Sequence, residues 1–318
     1  EAKPYITKYY QIMNNTFGRY VYPNYSFVQG GDGGMEYGMC TMILGESKSL
    51  EGLLGLMIHE GSHSWFQQML ATNESTKPWL DEGFTSYAES YVMYQLFPKT
   101  NEANPFINSL KGYAYFAKSG REEPASWLSD HHDNSTAYSV ASYTKGELFL
   151  VELGYIMGEE TLSKVMKKYY QDWHLKHPSD RDFMHIAQQI SGMDLKWFYH
   201  YWINTTKTID YAIKDVKYGD TYTTITLVNN SDVPMPIDFN VLTKDKKTIN
   251  YHIPLNMMRS PKKSDFYGNF QTLDYWNWTS KEYTFSIPYK KDELKLLGID
   301  FSQRLADVNP ENNTLEVK

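Results

Sequence analysis

The chain has 318 residues, of which 41% are hydrophobic and 22% are charged, and it carries a formal net charge of −7. This length allows two domains with buried cores, and the composition is typical of a globular protein. The acidic balance and the lack of a basic arm or stripe argue against a nucleic-acid-binding surface. The longest apolar stretch, residues 53–58, is far too short to span a membrane.

Cys40 is the only cysteine, which excludes an intrachain disulfide and a metal site built from cysteines. The chain begins at Glu1 without an initiator methionine, so we expect it to be an excised piece of a longer protein. The absence of a set of structural cysteines and a bacterial-looking layout favour a periplasmic or secreted bacterial protein over a cytoplasmic one.

The hydrophobic periodicity divides the chain near residue 208. Before this point apolar residues recur at helical spacing, with strand-like runs around 21–29 and 39–44 and a loop-rich stretch at 98–135. The predicted helices span residues 3–17, 49–70, 81–97, 143–157, 159–172, 179–191 and 194–203. After this point, short alternating segments separated by Asn, Gly and Pro predict a small β-sandwich of about 100 residues.

The segment His59-Glu60-Gly61-Ser62-His63 lies in the middle of the second predicted helix. Residues four apart project from the same helix face, so the two imidazoles can bind one zinc ion. Glu60 points about a quarter-turn away, where its carboxylate can take a proton from water without being a ligand. The pentad therefore predicts a zinc site with a catalytic base.

A catalytic zinc ion takes a third protein ligand and keeps one position open. Glu82 is the best candidate, because it follows His63 after 18 intervening residues, near the start of the next helix. A helix, a short loop and a returning helix would bring its carboxylate beside the imidazoles. Glu89 lies two turns further along the same face, where it either supports a ligand imidazole by a hydrogen bond or is an ordinary solvated carboxylate.

Three ordered motifs in this sequence resemble a known family. The pentad, the 18-residue interval and Trp79-Leu80-Asp81-Glu82-Gly83-Phe84 resemble the gluzincin aminopeptidases of the aminopeptidase N and leukotriene-hydrolase type. Upstream, Gly33-Gly34-Met35-Glu36-Tyr37 is similar to the Gly-x-Met-Glu-Asn exopeptidase motif of that family. Downstream, residues 137–146 resemble the segment that carries its catalytic tyrosine.

This resemblance implies both a metal centre and an architecture. His59, His63 and Glu82 are implied to hold one zinc ion per chain, with Glu60 as the general base. The implied fold is α+β and multidomain, with a mainly helical, thermolysin-like zinc catalytic domain that contains a small β-sheet over residues 1–208. An all-β sandwich domain is expected to follow over residues 209–318.

The resemblance also implies how a peptide with a free N-terminus is bound and cleaved. Tyr143 falls on the tyrosine that hydrogen-bonds the oxyanion in the transition state, with Tyr138 as the alternative. Glu36 falls on the glutamate that pairs with the free α-amino group and so restricts cleavage to the N-terminal peptide bond. The implied substrate-binding residues are Gly33, Gly34, Met35, Glu36 and Tyr138.

Two departures from the family pattern affect what is expected of this chain. Tyr37 stands where the family usually has Asn, which affects the substrate contacts at this subsite. The family also has a β-domain ahead of this region that completes the amine site and the first side-chain pocket. We expect the missing N-terminal domain to be a partner of this fragment, and the fragment alone to have reduced or no peptidase activity.

Two other functions compete with the aminopeptidase at this stage. The first is a thermolysin-like endopeptidase, against which Glu36 and the 18-residue interval, one residue shorter than in thermolysin-like enzymes, both argue. The second is a non-catalytic peptide-binding relative, against which the presence of both Glu60 and Tyr143 argues. The sequence therefore favours a zinc aminopeptidase.

Overall fold

The structure, a computed structural model, describes residues 1–31, 33–98, 104–263 and 270–318. The first two thirds of the chain fold into helices with one small parallel sheet. The elements of this helical part are α1 (Lys3–Thr16), β1 (Ser26–Gly30), β2 (Cys40–Leu44), α2 (Leu50–His63), α3 (Phe84–Leu96), α4 (Ile107–Ala117), α5 (Ser135–Ser139), α6 (Lys145–Met157), α7 (Glu159–Trp173), α8 (Asp180–Ser191) and α9 (Lys196–Asn204).

π-Helical turns extend several of these helices without an intervening loop. In the described part of the chain these turns are π1 (Ser64–Met69), π2 (Trp79–Gly83) and π3 (Val140–Thr144). In π1, for example, the amide of Leu70 donates to the carbonyl of Trp65, five residues earlier, at 3.2 Å. π1 continues α2, π2 leads into α3, and π3 leads into α6. π-Helical turns are rare and are frequent at functional sites.

The helical core is built around α6, which is buried along its whole length. A helix that is apolar on all sides must be surrounded by other elements, and α6 packs against α3, α7 and π2. Trp79 of π2, for example, meets Phe149 of α6 edge-on with ring centroids 5.1 Å apart. α2 and α3 also pack against each other. This packing brings the elements that carry the predicted site residues together.

The described residues of the last third of the chain form two sheets. The strands are β3 (Tyr211–Tyr218), β4 (Thr223–Asn229), β5 (Ile237–Thr243), β6 (Thr248–Ile253), β7 (Gln271–Thr272), β8 (Glu282–Ile287), β9 (Leu294–Ile299) and β10 (Thr314–Glu316). One sheet has the order β3-β4-β8 and the other β10-β9-β5-β6-β7. Phe285 of β8 contacts Phe239 of β5 across them, with ring centroids 5.2 Å apart. The two sheets therefore share a core.

Buried polar contacts join the β part to the helices. The hydroxyl of Tyr155 on α6 accepts a hydrogen bond from the amide of Asp238 on β5 at 2.9 Å. Arg304 donates to Glu159 at the start of α7, also at 2.9 Å. Partly satisfied polar groups at such an interface would be costly, so these bonds help to fix the two parts against each other.

The predicted α+β class is confirmed, whereas the domain limits 1–208 and 209–318 stay a prediction. The predicted loop-rich stretch at 98–135 is wrong in part, because it contains α4. That helix buries Leu110, Tyr113 and Phe116 on one face, but Asn108 and Gly112 weaken the local helix preference. Within the described residues, no helix combines the length and apolarity needed to cross a membrane.

Candidate metal centre

Three side-chain atoms converge at the centre of the helical part. His59 Nε2 and His63 Nε2 lie 3.3 Å apart, and each lies 3.4 Å from Glu82 Oε2. Ligands bound tetrahedrally to zinc at about 2.0–2.1 Å would be about 3.3–3.4 Å from one another. Glu82 Oε2 is buried and, apart from its contacts with the two imidazole nitrogens, has no hydrogen-bond partner among the described residues. Two imidazoles and one carboxylate with this spacing fit a single zinc ion.

The helices explain how these atoms come together. His59 and His63 are one turn apart near the end of α2, so both rings leave the same face. Glu82 lies in π2, which precedes α3, and α3 packs against α2. The chain therefore leaves α2 through π1, passes through the loop at 70–78, and returns with its carboxylate facing the two rings.

The other ring nitrogens of both imidazoles contact carboxylates. His59 Nδ1 lies 2.9 Å from Glu89 Oε2, and His63 Nδ1 lies 2.5 Å from Asp81 Oδ1. An Nδ1–H that donates to a carboxylate leaves the Nε2 lone pair free for a metal and fixes the ring orientation. The sequence pattern did not identify Asp81, and its position next to Glu82 is only a weak signal.

The electrostatics of the centre are those of a tight cluster of opposite charges. Burial lowers the pKa of His59, but hydrogen bonds with Glu82 and Glu89 outweigh it and raise that pKa to about 9. Burial raises the pKa of Glu82, but hydrogen bonds with the two imidazoles outweigh it and lower that pKa to about 2. Glu82 is therefore ionised over the whole physiological range, as a metal ligand must be.

Glu60 lies beside the three donor atoms, but the contacts that join His59, His63 and Glu82 do not include it. It is buried, and its Oε2 atom has no hydrogen-bond partner among the described residues. Burial raises its pKa to about 7, against the opposing effect of His59 and His63. A Cβ atom on Gly34 would lie only 1.8 Å from Glu60 Oε1, so the backbone at Gly34 approaches this carboxylate as closely as a glycine permits.

Tyr143 closes the other side of the centre. Its hydroxyl donates to Glu82 Oε1 at 2.7 Å, and its ring stacks on His59 with centroids 5.8 Å apart. Burial and the neighbouring Glu82 raise the pKa of Tyr143 far above its ordinary value, so the hydroxyl remains a proton donor. Tyr138 meets the Tyr143 ring edge-on at 6.5 Å. Tyr143 is thus the nearer of the two predicted tyrosines to the donor atoms.

The donor atoms open onto a cleft of about 350 Å³. Its lining residues are Gly34, Met35, Glu36, His59, Glu60, His63, Glu74, Ser75, Pro78, Asp81, Glu82, Ser129, Tyr138 and Tyr143. Glu36 is half-buried, and a carboxylate oxygen of it lies within 4.8 Å of ligand atoms of His63 and Asp81. Gly33 lies outside this set, and a Cβ atom there would meet no atom of the described residues within 4 Å.

The cleft is acidic, because five carboxylates line it and, among the described residues, no lysine or arginine does. Such a cleft favours positively charged groups such as a metal ion and an ammonium group. One part of the cleft wall, formed by Glu74, Ser75 and Ser129, was not identified from the sequence. Ser129 connects its segment to Ser75, because its amide donates a hydrogen bond to the Ser75 carbonyl at 3.1 Å.

Comparison with known proteins relates this arrangement to a family. The sequence profile of the peptidase family M1 domain matches residues 7–202. Aminopeptidase M1-A of Oryza sativa subsp. japonica is 26% identical over 167 residues, which cover 52% of this chain and 19% of that protein. Aminopeptidase B of Rattus norvegicus is 26% identical over 238 residues, which cover 68% of this chain and 34% of that protein. The chain thus spans about a third or less of these relatives.

Solved structures show the same fold. Legionella pneumophila aminopeptidase A in complex with aspartic acid is similar with a TM-score of 0.69 and 14% identity, over 96% of this chain and 34% of that chain. The M1 zinc metallopeptidase from Deinococcus radiodurans is similar with a TM-score of 0.52 and 16% identity, over 63% of this chain and 43% of that chain. Because the family profile covers more than half of its length, this chain belongs to peptidase family M1.

Proposed function

We propose that this chain is a zinc-dependent aminopeptidase that removes N-terminal residues from peptides. The observation that carries the proposal is the spacing of His59 Nε2, His63 Nε2 and Glu82 Oε2, at 3.3–3.4 Å, beside a buried carboxylate in an acidic cleft. Similar proteins that are named aminopeptidases support the same conclusion.

In this proposal Glu60 is the general base. Zinc, when bound, supplies a Lewis acid that polarises the scissile carbonyl. Glu60 takes a proton from the attacking water and then delivers it to the leaving amine. Burial raises the pKa of Glu60 to about 7. A bound dication would lower this pKa and favour the ionised base.

Tyr143 and Glu36 position the substrate in the same proposal. The Tyr143 hydroxyl, which donates to Glu82 Oε1 in this structure, is close enough to turn to the scissile carbonyl as negative charge develops. Glu36 lines the same cleft, where its carboxylate can pair with a cationic α-amino group. Pairing at this point holds the first peptide bond at the donor atoms.

The proposal is tested with purified protein of known zinc content. We expect one zinc per chain and hydrolysis of aminoacyl amides, but no hydrolysis of the same substrates after N-acetylation. Glu60→Gln keeps the shape of the side chain and should retain zinc while abolishing hydrolysis. Turnover by that variant would overturn the role of Glu60. Equal cleavage of acetylated substrates would favour the thermolysin-like endopeptidase instead.

The reduced activity expected of these 318 residues alone stays a prediction. It is tested by comparing them with a longer form of the same protein on aminoacyl substrates. Lower turnover at equal zinc content would support it, and equal turnover would overturn it.

A further inference from the structure

Two buried glycines bring distant parts of the chain into direct backbone contact. Gly83 ends π2, and Gly146 is the second residue of α6, directly after π3. A Cβ atom on Gly83 would lie 2.4 Å from Gly146 Cα, and one on Gly146 would lie 2.8 Å from Gly83 Cα. The Gly146 Cβ atom would also lie 2.9 Å from the Trp79 carbonyl oxygen. No side chain fits between these two backbone segments.

This contact lies beside two residues of the metal centre. Gly83 directly follows Glu82, and Gly146 lies three residues after Tyr143. Ordinary helix packing separates the axes by about 8–10 Å because side chains lie between them. Because Gly83 and Gly146 have no side chains, the two backbones come into direct contact near the place where π2 and π3 pack against each other. The close approach therefore coincides with the 2.7 Å hydrogen bond between Tyr143 Oη and Glu82 Oε1.

We propose that the Gly83–Gly146 contact is a positioning element that sets the distance between the Tyr143 hydroxyl and the zinc-binding carboxylate of Glu82. The two glycines act through the backbone and touch no reacting atom, so they are positioning residues. This inference rests on the proposed aminopeptidase function only for its effect on turnover, because the distance itself can be measured without a reaction.

The size of the expected effect follows from the overlap. A Cβ atom that would lie 2.4–2.8 Å from another backbone carbon must move to roughly 3.5 Å or more for normal contact. Backbone atoms cannot give way as a flexible side chain can, so π2 and the start of α6 must separate by nearly 1 Å. Misplacement of about 1 Å near reacting groups can reduce turnover about 100-fold.

The first test is Gly146→Ala, with Gly112→Ala as the matched control. Gly112 lies in α4, and in the part of the chain that the structure describes a Cβ atom there would meet nothing within 4 Å. The Cβ atom of Gly146→Ala would lie 2.8 Å from Gly83 Cα and needs a shift of about 0.7 Å. In a crystal structure of this variant we expect the Tyr143–Glu82 distance to lengthen from 2.7 Å to about 3.4 Å, near the outer limit of a hydrogen bond. The spacing of the two imidazoles should stay unchanged. A retained 2.7 Å bond in this variant would overturn the proposal.

The second test is a double-mutant cycle with Tyr143→Phe. We expect Gly146→Ala to lower kcat about 10–100-fold with little change in KM and full zinc content. If the glycine acts through the tyrosine hydroxyl, the loss in the Tyr143→Phe background should be threefold or less, since coupled residues are not additive. Additive losses, or a Gly146→Ala variant as active as Gly112→Ala, would contradict this role.

The unmodified chain supplies a third test that holds even if Gly146→Ala does not fold. Backbone amides in π2 and in residues 143–147 should exchange with solvent hydrogen at the same free energy of opening, because segments in tight contact open as one unit. Clearly different opening energies in the two segments would overturn the proposal. If no variant and no wild-type protein hydrolyses aminoacyl substrates, the proposed function fails, while the distance and exchange results still decide this inference.

Discussion

The carboxylates behind the two imidazoles should contribute unequally to zinc affinity. Asp81→Asn and Glu89→Gln each replace a carboxylate by a neutral amide of the same shape. Both changes remove the negative charge that favours the zinc-bound imidazole and weaken control of its tautomer. We expect Asp81→Asn to weaken zinc binding more than Glu89→Gln.

The difference follows from solvent exposure. The side chains of His63 and Asp81 are 1% and 2% exposed, whereas those of His59 and Glu89 are 14% and 33% exposed. Loss of such a supporting group typically costs about 10–100-fold in metal affinity, or about 1.4–2.7 kcal/mol. Water screens the exposed pair more strongly, so we expect about 100-fold for Asp81→Asn and about 10-fold for Glu89→Gln.

Zinc affinity is measured by competition with a chromophoric chelator at neutral pH. Asp130→Asn is the matched control, because it removes the same charge from a side chain that is 85% exposed. Its affinity should stay within about twofold of wild type, as expected for a screened surface charge. Equal weakening by Glu89→Gln and Asp81→Asn, or affinities of both variants equal to that of the control, would refute the predicted difference.

Three further predictions concern turnover and stability. Tyr143→Phe should lower kcat by about 100–1,000-fold with zinc content unchanged, as measured by steady-state kinetics and metal analysis. Gly34→Ala should reduce kcat strongly, because its Cβ atom would overlap the base carboxylate, whereas Gly33→Ala should remain near wild type in the same assay. Burial raises the pKa of Asp238, but the neighbouring Lys262 and His252 outweigh this effect and lower that pKa. The stability that this carboxylate contributes is therefore present above the ordinary Asp pKa near 4 and is lost as the pH falls through the lower folded value. The free energy of unfolding, measured with urea from pH 6 to 3, should show this loss of stability. The loss should be smaller in Asp238→Asn.

The parts of the centre that depend on helical periodicity could be predicted from the sequence. His59 and His63 are four residues apart on one helix, so their common face follows from helix geometry alone. To predict that Glu82 lies beside the two imidazoles, one must also assume that two consecutive helices pack against each other. α2 and α3 do so. The alternating segments after residue 209 likewise predicted strands, because their buried residues recur every second position, as in β4.

Features that depend on tertiary contacts could not be predicted in this way. Asp81 resembles any acidic residue at the start of a helix, and its contact with His63 requires the geometry of π2. α4 was missed because its local helix preference is weak and its stability comes from packing, as tertiary context often overrides propensity. The glycine contact joins residues 63 positions apart, and no local pattern distinguishes Gly83 from a glycine that merely ends a turn.

The π-helical turns explain why this centre needs tertiary support. Each residue of an α-helix advances by about 100°, so a turn that contains one extra residue rotates every following side chain by a similar angle. π1 begins directly after His63, π2 contains Glu82 and π3 contains Tyr143, so regular helices through these segments would present other side chains to the cleft. Such turns have poorer local geometry than the α-helix and persist where the surrounding fold over-determines them. Contact between two backbones at Gly83 and Gly146 supplies that constraint for π2 and π3 together. A change that relaxed one turn to a regular helix should therefore displace the functional side chain of the other.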